Sequence, residues 1–381
     1  MSGRHTRTYK EKPETNFFNI VKIMKMLKSF AVLAAMLTLS LMPAATSAQT
    51  TDSPETGVLQ RQLDSLTRRL NTMEKKSSRW DKLLANLPQI SGYGQMGYEW
   101  NGTTDAATSS FSVMSVRLSL AGDIGRKFDY KFQFELASPK LIDAYVRYKI
   151  NPGFNLQAGQ FHTNFSLEGP MSPLDMEAID YAPIVKAVAC QTPDTRDIGI
   201  AAYGAAAKRE GYSIFEYSVG LFNGEGKNKL DLNRSKDVIA RVKINPLKEL
   251  TLSGSFGYGE RGDTYVHNTR YAAGLWWHGE NFYVRSEYLG LRQNDWANSA
   301  KHTIDGCYAV AGYWIKKFCP LVRYNYMDSD LSGTSVKQSD YMVGLDYKPL
   351  KYLRLQANYT RTQYKNIGGS NIVGIVVTGI F

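Results

Sequence analysis

The 381-residue chain has little cysteine, and three cysteines cannot form a complete set of disulfide pairs. Cys190, Cys307 and Cys319 show neither a CxxC motif nor zinc-ligand spacing. The histidines are scattered, and no HExxH or GxSxG motif occurs. One GxGxxG match, Gly92–Gly97, runs on into a strand pattern, so it lacks the helix N-terminus that binds a pyrophosphate. We therefore expect no metal, no cofactor and no enzymatic activity, although a catalytic site assembled from distant strands leaves no local motif.

A long hydrophobic run is also missing. The main apolar run, Phe30–Met42, is shorter than the roughly 20 residues that a membrane-spanning helix requires. Lys25 and Lys28 precede this run, and Pro43 and small residues as far as Ala48 follow it, an order typical of a secretory signal peptide. We expect residues 1–48 to be an upstream extension and a signal peptide cleaved after Ala48. A longer genuine n-region is the alternative to the extension.

Runs of basic residues are absent as well, although the formal net charge is +11. Residues 1–48 hold seven Lys or Arg and two acids, a surplus of five, so the rest of the chain carries +6. No stretch gathers Lys and Arg as a nucleic-acid surface does, so we expect no nucleic-acid partner. Tyr, Phe and Gly are plentiful at a mean hydropathy of −0.34, a mixture typical of barrels whose strands have one apolar and one polar face.

A short heptad pattern follows a linker at residues 49–56. Leu59, Leu63, Leu66, Leu70 and Met73 recur at alternating spacings of four and three residues, which are the a and d positions of a coiled coil. A single helix cannot bury such a stripe alone. The pattern predicts a periplasmic coiled-coil helix over residues 57–88, either paired along a trimer axis or docked on its own barrel.

From Ile90 onward the apolar period changes to two and stays there to the last residue. In residues 128–136, for example, Phe, Tyr and Leu alternate with Asp, Lys, Gln and Glu, so every aromatic lies on one sheet face. Strands with an entirely polar second face cannot be central strands of a two-sided core. We predict that residues 89–381 form an all-β, transmembrane antiparallel β-barrel of about 16 strands.

Two kinds of connection alternate between these strands. Short turns, such as Asn151-Pro152-Gly153 and Lys316-Lys317, are predicted to lie on the periplasmic rim. Longer polar connections are predicted on the extracellular rim, at residues 101–110, 260–269, 292–302 and 328–339. The last strand ends on Phe381, a terminal aromatic that resembles the signal by which the barrel-assembly machinery recognises outer-membrane barrels.

One connection, at residues 164–195, is too long for a turn and too apolar for a solvated loop. Leu167, Met171, Ile179 and Ile184 are among its apolar residues, which need a wall to pack against. The pattern predicts a loop folded into the lumen. An external loop that packs against a neighbouring subunit is the alternative.

Strand parity places a set of basic side chains in the lumen, where they face a smaller set of acids. A row of guanidinium groups can pass a phosphate between weak sites, or the same groups can pair with the acids across strands. The basic residues are Arg117, Lys131, Arg147, Lys149, Arg241, Lys243, Arg285, Arg323 and Arg354. The acids are Glu135, Asp143, Glu216, Asp237, Glu287 and Asp346.

Three segments resemble the phosphate-selective porins of the outer membrane: Gly159–Glu168, Thr195–Ile200 and Gly220–Gly226. The resemblance implies a 16-stranded trimeric barrel whose third loop constricts the pore and whose lumen carries basic residues for anions. The inward loop departs from that family because Lys186 is its only basic residue before Arg196. These two residues are constriction candidates, with an ordinary loop salt bridge as the alternative.

The sequence therefore predicts a bacterial outer-membrane porin for passive diffusion of small hydrophilic, mainly anionic, phosphate-like solutes. The expected partners are outer-membrane lipid, two further copies of the chain in a homotrimer formed through barrel walls and coiled coil, and the barrel-assembly machinery. A weakly selective general porin is one alternative. A plugged structural or adhesive barrel is the other.

Overall fold

The computed structural model describes residues 88–381, apart from 104–106, 191–194, 296–297, 299 and 366–367, together with Ser65 and Arg68. The predicted signal peptide at 1–48 and the linker at 49–56 lie outside the described residues. So does the predicted coiled coil at 57–88, of which only Ser65, Arg68 and Pro88 are described. Among the described residues, no helix is long and apolar enough to cross a membrane.

The described residues form a closed antiparallel barrel of 16 strands, which confirms the predicted fold of the barrel. Each strand pairs with its sequence neighbours, and β1 closes the ring by pairing with β16, where Tyr93 lies opposite Ile380. The strands are β1 Gln89–Thr103, β2 Ala107–Ile124, β3 Phe128–Glu135, β4 Lys140–Asn151, β5 Phe154–His162, β6 Arg196–Arg209, β7 Tyr212–Phe222, β8 Asp237–Leu247, β9 Leu250–Arg261, β10 Val266–His278, β11 Phe282–Asp295, β12 Ala300–Tyr313, β13 Phe318–Leu331, β14 Thr334–Leu350, β15 Leu353–Tyr364 and β16 Gly368–Ile380.

The two faces of the wall have opposite polarity, and the polar face is the inner one. On β9, Thr251, Ser253 and Ser255 are buried inside, whereas Leu252 and Phe256 are 41% and 50% exposed. A soluble protein has the reverse arrangement. The outward apolar face is the one that a bilayer solvates, and the closed ring leaves no unpaired edge in lipid.

The prediction of four long polar connections on the rim opposite the termini was wrong. Residues 101–110, 260–269, 292–302 and 328–339 are largely strand, and β13 and β14 meet in a turn at Ser332 and Gly333. The ladders continue because hydrogen bonding between paired strands does not require apolar side chains, so polar ends of strands look like loops in the sequence. On the other rim, the turns at Asn151-Pro152-Gly153 and Lys316-Lys317 lie where the sequence placed them.

Gly159 on β5 is fixed by its backbone geometry. Its φ is +125°, and an added Cβ would lie 2.1 Å from the carbonyl oxygen of Ala144 on β4. We expect Gly159→Ala to lower the free energy of unfolding by about 1–3 kcal/mol, the cost of holding a side chain in that conformation. Urea titration of the refolded protein, followed by tryptophan fluorescence, measures this change.

Gly254→Ala on β9 is the matched control, because nothing lies within 4 Å of its added Cβ. We expect that variant to unfold at the urea concentration of the unmodified protein. Equal midpoints for all three proteins would contradict the assignment of strain to Gly159.

Candidate functional site: the lumen and its inward loop

The connection between β5 and β6 runs inside the barrel, along the inner faces of later strands. It leaves β5 at His162, and Asn164 donates to the Ser218 hydroxyl on β7. It carries one short helix, α1, at Pro183–Val188. Four groups of contacts, here called anchors, hold it against β8, β11, β13 and β15.

The first anchor is the carboxylate of Glu287 on β11, which is 2% exposed. Its oxygens accept hydrogen bonds from the Leu167 amide at 2.6 Å, the Ser166 hydroxyl at 2.8 Å and the Glu168 amide at 3.2 Å. Tyr308 on β12 donates to the same carboxylate at 2.9 Å. A buried carboxylate with several hydrogen-bond donors therefore fixes the point where the first part of the loop packs against the inner wall.

The second anchor is Arg354 on β15, which is 3% exposed. Its guanidinium forms two bonds of 2.8 Å with the carboxylate of Asp346 on β14. It also donates to the carbonyls of Pro173 at 3.1 Å, Leu174 at 2.8 Å and Met176. One arginine therefore satisfies three backbone acceptors of the middle of the loop.

The third anchor holds the returning half of the loop. Arg323 on β13 donates to the Asp180 carbonyl at 2.7 Å, and Asn325 on the same strand accepts from the Ile184 amide at 3.0 Å. These contacts place the N-terminus of α1 against the wall. Arg241 on β8 plays the same part at the start of the loop, where it donates to the Ser166 carbonyl at 2.9 Å.

The fourth anchor joins the two halves of the loop to each other and to β11. Arg285, which is 2% exposed, lies 3.0 Å from Glu177 and 3.4 Å from Glu168. Glu168 also accepts from the Ala182 amide at 2.7 Å. Glu168 and Glu177 therefore neutralise Arg285, and the bond from Ala182 to Glu168 connects the two halves of the loop.

An apolar strip of the inner wall supports α1. Ile184, Val185 and Val188 are fully buried in one cluster with inward residues of β11 and β12. An added Cβ on Gly306 would lie 2.9 Å from the Ile184 side chain, so this glycine makes room for the helix. The inward residues of the strip include Leu289, Ile304 and Val310. These residues were not predicted from the sequence, although apolar residues at inward positions on adjacent strands were the signal for them.

Replacing Glu287 with alanine is expected to release the first part of the loop and raise single-channel conductance moderately. The Leu167 and Glu168 amides lose their acceptor, while Arg241 and Ser255 still hold Ser166. Open-channel current noise in planar bilayers should rise with the mean conductance, because a loosened loop fluctuates. Unchanged current and noise in a folded variant would show that Glu287 does not position the loop.

The opposite side of the lumen, on β2, β3 and β4, carries basic side chains that the loop leaves uncovered. Side-chain exposure is 16% for Arg117, 31% for Lys131, 38% for Arg147 and 46% for Lys149. Solvent therefore reaches these cations inside the barrel. Together with Lys243 on β8, whose side chain is 22% exposed, they are the part of the predicted basic row that a solute can meet.

Each of these cations has a carboxylate partner that is more deeply buried. Asp129 lies 2.7 Å from Arg147 and 2.8 Å from Lys149, and its side chain is 10% exposed. Asp143, 4% exposed, lies 3.0 Å from Lys131 and 2.6 Å from Arg196. Two carboxylates thus pair with four cations, of which Lys131, Arg147 and Lys149 present the more accessible surface. Arg117 lies 3.4 Å from Glu135 in the same arrangement.

The predicted site residues therefore divide into three groups. Arg117, Lys131 and Arg147 face the open lumen. Arg241, Arg285, Arg323 and Arg354 are buried or half-buried against the loop, and Arg196 is 6% exposed beside Asp143. Lys186 lies on α1, half exposed, in an ion pair with Asp180. Within the described part of the chain, no three His, Cys, Asp or Glu side chains are arranged to hold a metal ion.

Residues 91–270 match the model of a family described as phosphate-selective porin O and P. This match confirms the resemblance seen in the sequence, over the first part of the barrel. No curated protein matches the chain significantly.

The barrel is also similar to solved outer-membrane barrels. An anion-selective porin from Comamonas acidovorans aligns with a TM-score of 0.60 and 12% identity over 77% of this chain and 99% of that one. OmpF of Salmonella typhi, in complex with daunomycin, aligns at 0.61 and 12% identity over 78% and 98%. The trimer form of OmpT, an outer membrane protein of Vibrio cholerae, aligns at 0.58 and 13% identity over 77% and 100%. At these identities the likeness establishes the barrel fold.

Proposed function

We propose that this outer-membrane porin lets small hydrophilic solutes diffuse passively through its lumen, with a preference for anions such as phosphate. One observation carries the preference: on β2–β4 the side chains of Lys131, Arg147 and Lys149 are 31–46% exposed, while Asp129 and Asp143, which pair with them, are 10% and 4% exposed. A solute in the lumen meets ammonium and guanidinium groups first. Several weak sites of this kind allow an anion to enter and to leave.

We assign the solute pathway to Lys131, Arg147 and Lys149, with Arg117 beside them. Arg241, Arg285, Arg323 and Arg354 instead hold the loop in place, because each of them donates to a loop carbonyl or pairs with a loop carboxylate. Lys186 and Arg196 contribute to the local field next to the constriction. Of the predicted basic row, the proposed solute pathway therefore includes only residues on the strands that the loop leaves uncovered.

A weakly selective general porin is the second candidate, and the close pairing of charges favours it. Asp123, whose side chain is 70% exposed, accompanies Lys149 at the rim that shares the chain termini. Asp175 and Asp180 on the loop are exposed as well. These carboxylates oppose the field of the β2–β4 cations, so the expected anion preference is modest. A plugged adhesive barrel is disfavoured by the solvent exposure of the lumen cations.

We further propose a homotrimer assembled through barrel walls, with the predicted helix at 57–88 in the periplasm. The trimer form of the Vibrio cholerae relative supports the first of these proposals. Phe381 remains our proposed assembly signal. Its side chain is 66% exposed, and its backbone forms two 3.0 Å hydrogen bonds with Gly92, so the ring is accessible at the rim while the strand end is held.

Single-channel recording in planar bilayers tests the proposed function. In a KCl gradient, the sign of the reversal potential should show that chloride is more permeant than potassium. Added phosphate should reduce the chloride current reversibly. A current with a reversal potential near zero and no phosphate block would favour the general porin. Absence of any current from the folded protein would favour the plugged barrel.

A further inference from the structure

The rim that shares the chain termini is rich in exposed basic residues at some of its turns. Three of its turns, between β2 and β3, β6 and β7, and β12 and β13, each place two exposed basic residues at or beside the turn. Glu210 is the single acidic residue within these turns. The six basic residues, called the rim cations below, are Arg126, Lys127, Lys208, Arg209, Lys316 and Lys317.

Outward aromatic side chains lie next to the rim cations. Phe128 follows Lys127 directly and stacks on Tyr148 of β4 at 4.6 Å between ring centroids. Phe318 follows Lys317 and stacks on Tyr347 of β14 at 4.2 Å. Phe128 and Phe318 are 41% and 45% exposed. Aromatic girdles of transmembrane barrels lie at the level of the lipid headgroups, so the adjacent cations lie at the level of the phosphates.

We propose that the rim cations bind anionic phospholipid headgroups. The inference rests on the position of the barrel in a membrane and not on its solute selectivity. Long Lys and Arg side chains can place their charge among phosphates while their stems stay beside apolar surface. The result is an annulus of preferred anionic lipid around this end of the barrel.

The spacing of the three turns around the ring favours lipid over an acidic protein. Four strands separate the first turn from the second, and six separate the second from the third. A protein of ordinary size would contact one side of the rim, whereas lipid surrounds all of it. The rim cations are therefore distributed as a lipid annulus requires.

Electron spin resonance of spin-labelled lipids tests the proposal on the full chain reconstituted in phosphatidylcholine bilayers. Labelled phosphatidylglycerol should associate with the protein about twofold more strongly than labelled phosphatidylcholine. One cation near an anionic surface strengthens association by about fivefold. Most lipid sites around the barrel do not touch a rim cation, so the preference averaged over all sites is smaller. Salt at 1 M, where the Debye length is about 3 Å, should remove it. Equal association of the two labels at low salt would overturn the proposal.

A variant in which all six rim cations become glutamine should lose the preference. A control with the same change in net charge replaces six exposed basic residues of the opposite half of the barrel and should keep it: K140Q, K229Q, R234Q, K236Q, K301Q and K365Q. If the control loses the preference equally, or if the rim variant retains it, the assignment is wrong. Should the sixfold variant fail to fold, the paired variants R126Q/K127Q, K208Q/R209Q and K316Q/K317Q should each lose part of the preference.

Discussion

Replacing Arg354 with alanine is expected to widen the channel and destabilise the barrel together. The change removes donors to the carbonyls of Pro173, Leu174 and Met176, so the middle of the loop loses its hold on β15. It also takes from the fully buried carboxylate of Asp346 the guanidinium that forms two 2.8 Å bonds with it, while Lys348 lies 3.8 Å away. Removing one partner of a buried pair costs about 3–5 kcal/mol. Conductance in planar bilayers and the urea midpoint should report the two effects.

The double variant D346N/R354Q separates loop release from loss of stability. It removes both charges, so no buried carboxylate is left unpaired and much of the stability should return. Gln at position 354 is shorter than Arg and has fewer donors, so the loop should stay loosened and the conductance high. If conductance instead falls back to that of the unmodified protein, the larger current of R354A comes from general unfolding and the assigned role of Arg354 is wrong.

The triple variant K131Q/R147Q/K149Q is expected to reverse the ionic preference of the pore. It removes the cations that pair with Asp129 and Asp143 and that solvent reaches, and it leaves Asp129 without either of its basic partners. The reversal potential in a KCl gradient should change sign, from the value of an anion-selective pore to that of a cation-selective pore. Block by phosphate should weaken by about tenfold or more, since a hydrogen bond to a charged group contributes about 1.5–3 kcal/mol.

The matched control for that variant is K229Q/K301Q/K365Q, which makes the same change in net charge at exposed positions outside the β2–β4 wall. We expect its reversal potential to remain that of an anion-selective pore. A triple variant that keeps the selectivity of the unmodified protein would show that the β2–β4 cations are structural partners of the buried carboxylates and no more. The general porin would then be the better description.

Sequence reasoning predicted the barrel because one rule repeats along the chain. A residue of the opposite parity would put a charge into lipid or an apolar group into water at most strand positions, so the alternation is visible along most of the strands. The number of strands followed from counting these segments. The ends of the strands did not, since the polar residues at 328–339 satisfy a ladder as readily as a loop.

The chemistry of the lumen was only partly predictable for the same reason. Parity placed Lys131 and Arg354 equally on the inner face, but it carries no information about what covers them. Arg354 is buried because the loop lies over β15, whereas Lys131 is exposed because the loop lies elsewhere. Leu289 and Ile304 could be recognised in the sequence as inward apolar residues. Only the path of the loop in the structure shows that they pack against α1.

The sequence by itself determined the closed barrel, its apolar outer face and the segment that departs from the strand rhythm, because each of these follows from side chains at fixed local spacing. Tertiary structure alone decided which basic residues hold the loop and which face solvent. That division depends on contacts between residues more than 100 positions apart, such as Arg354 with Leu174 and Glu287 with Leu167. No local pattern encodes such contacts, because a loop of this length can reach several strands of the ring.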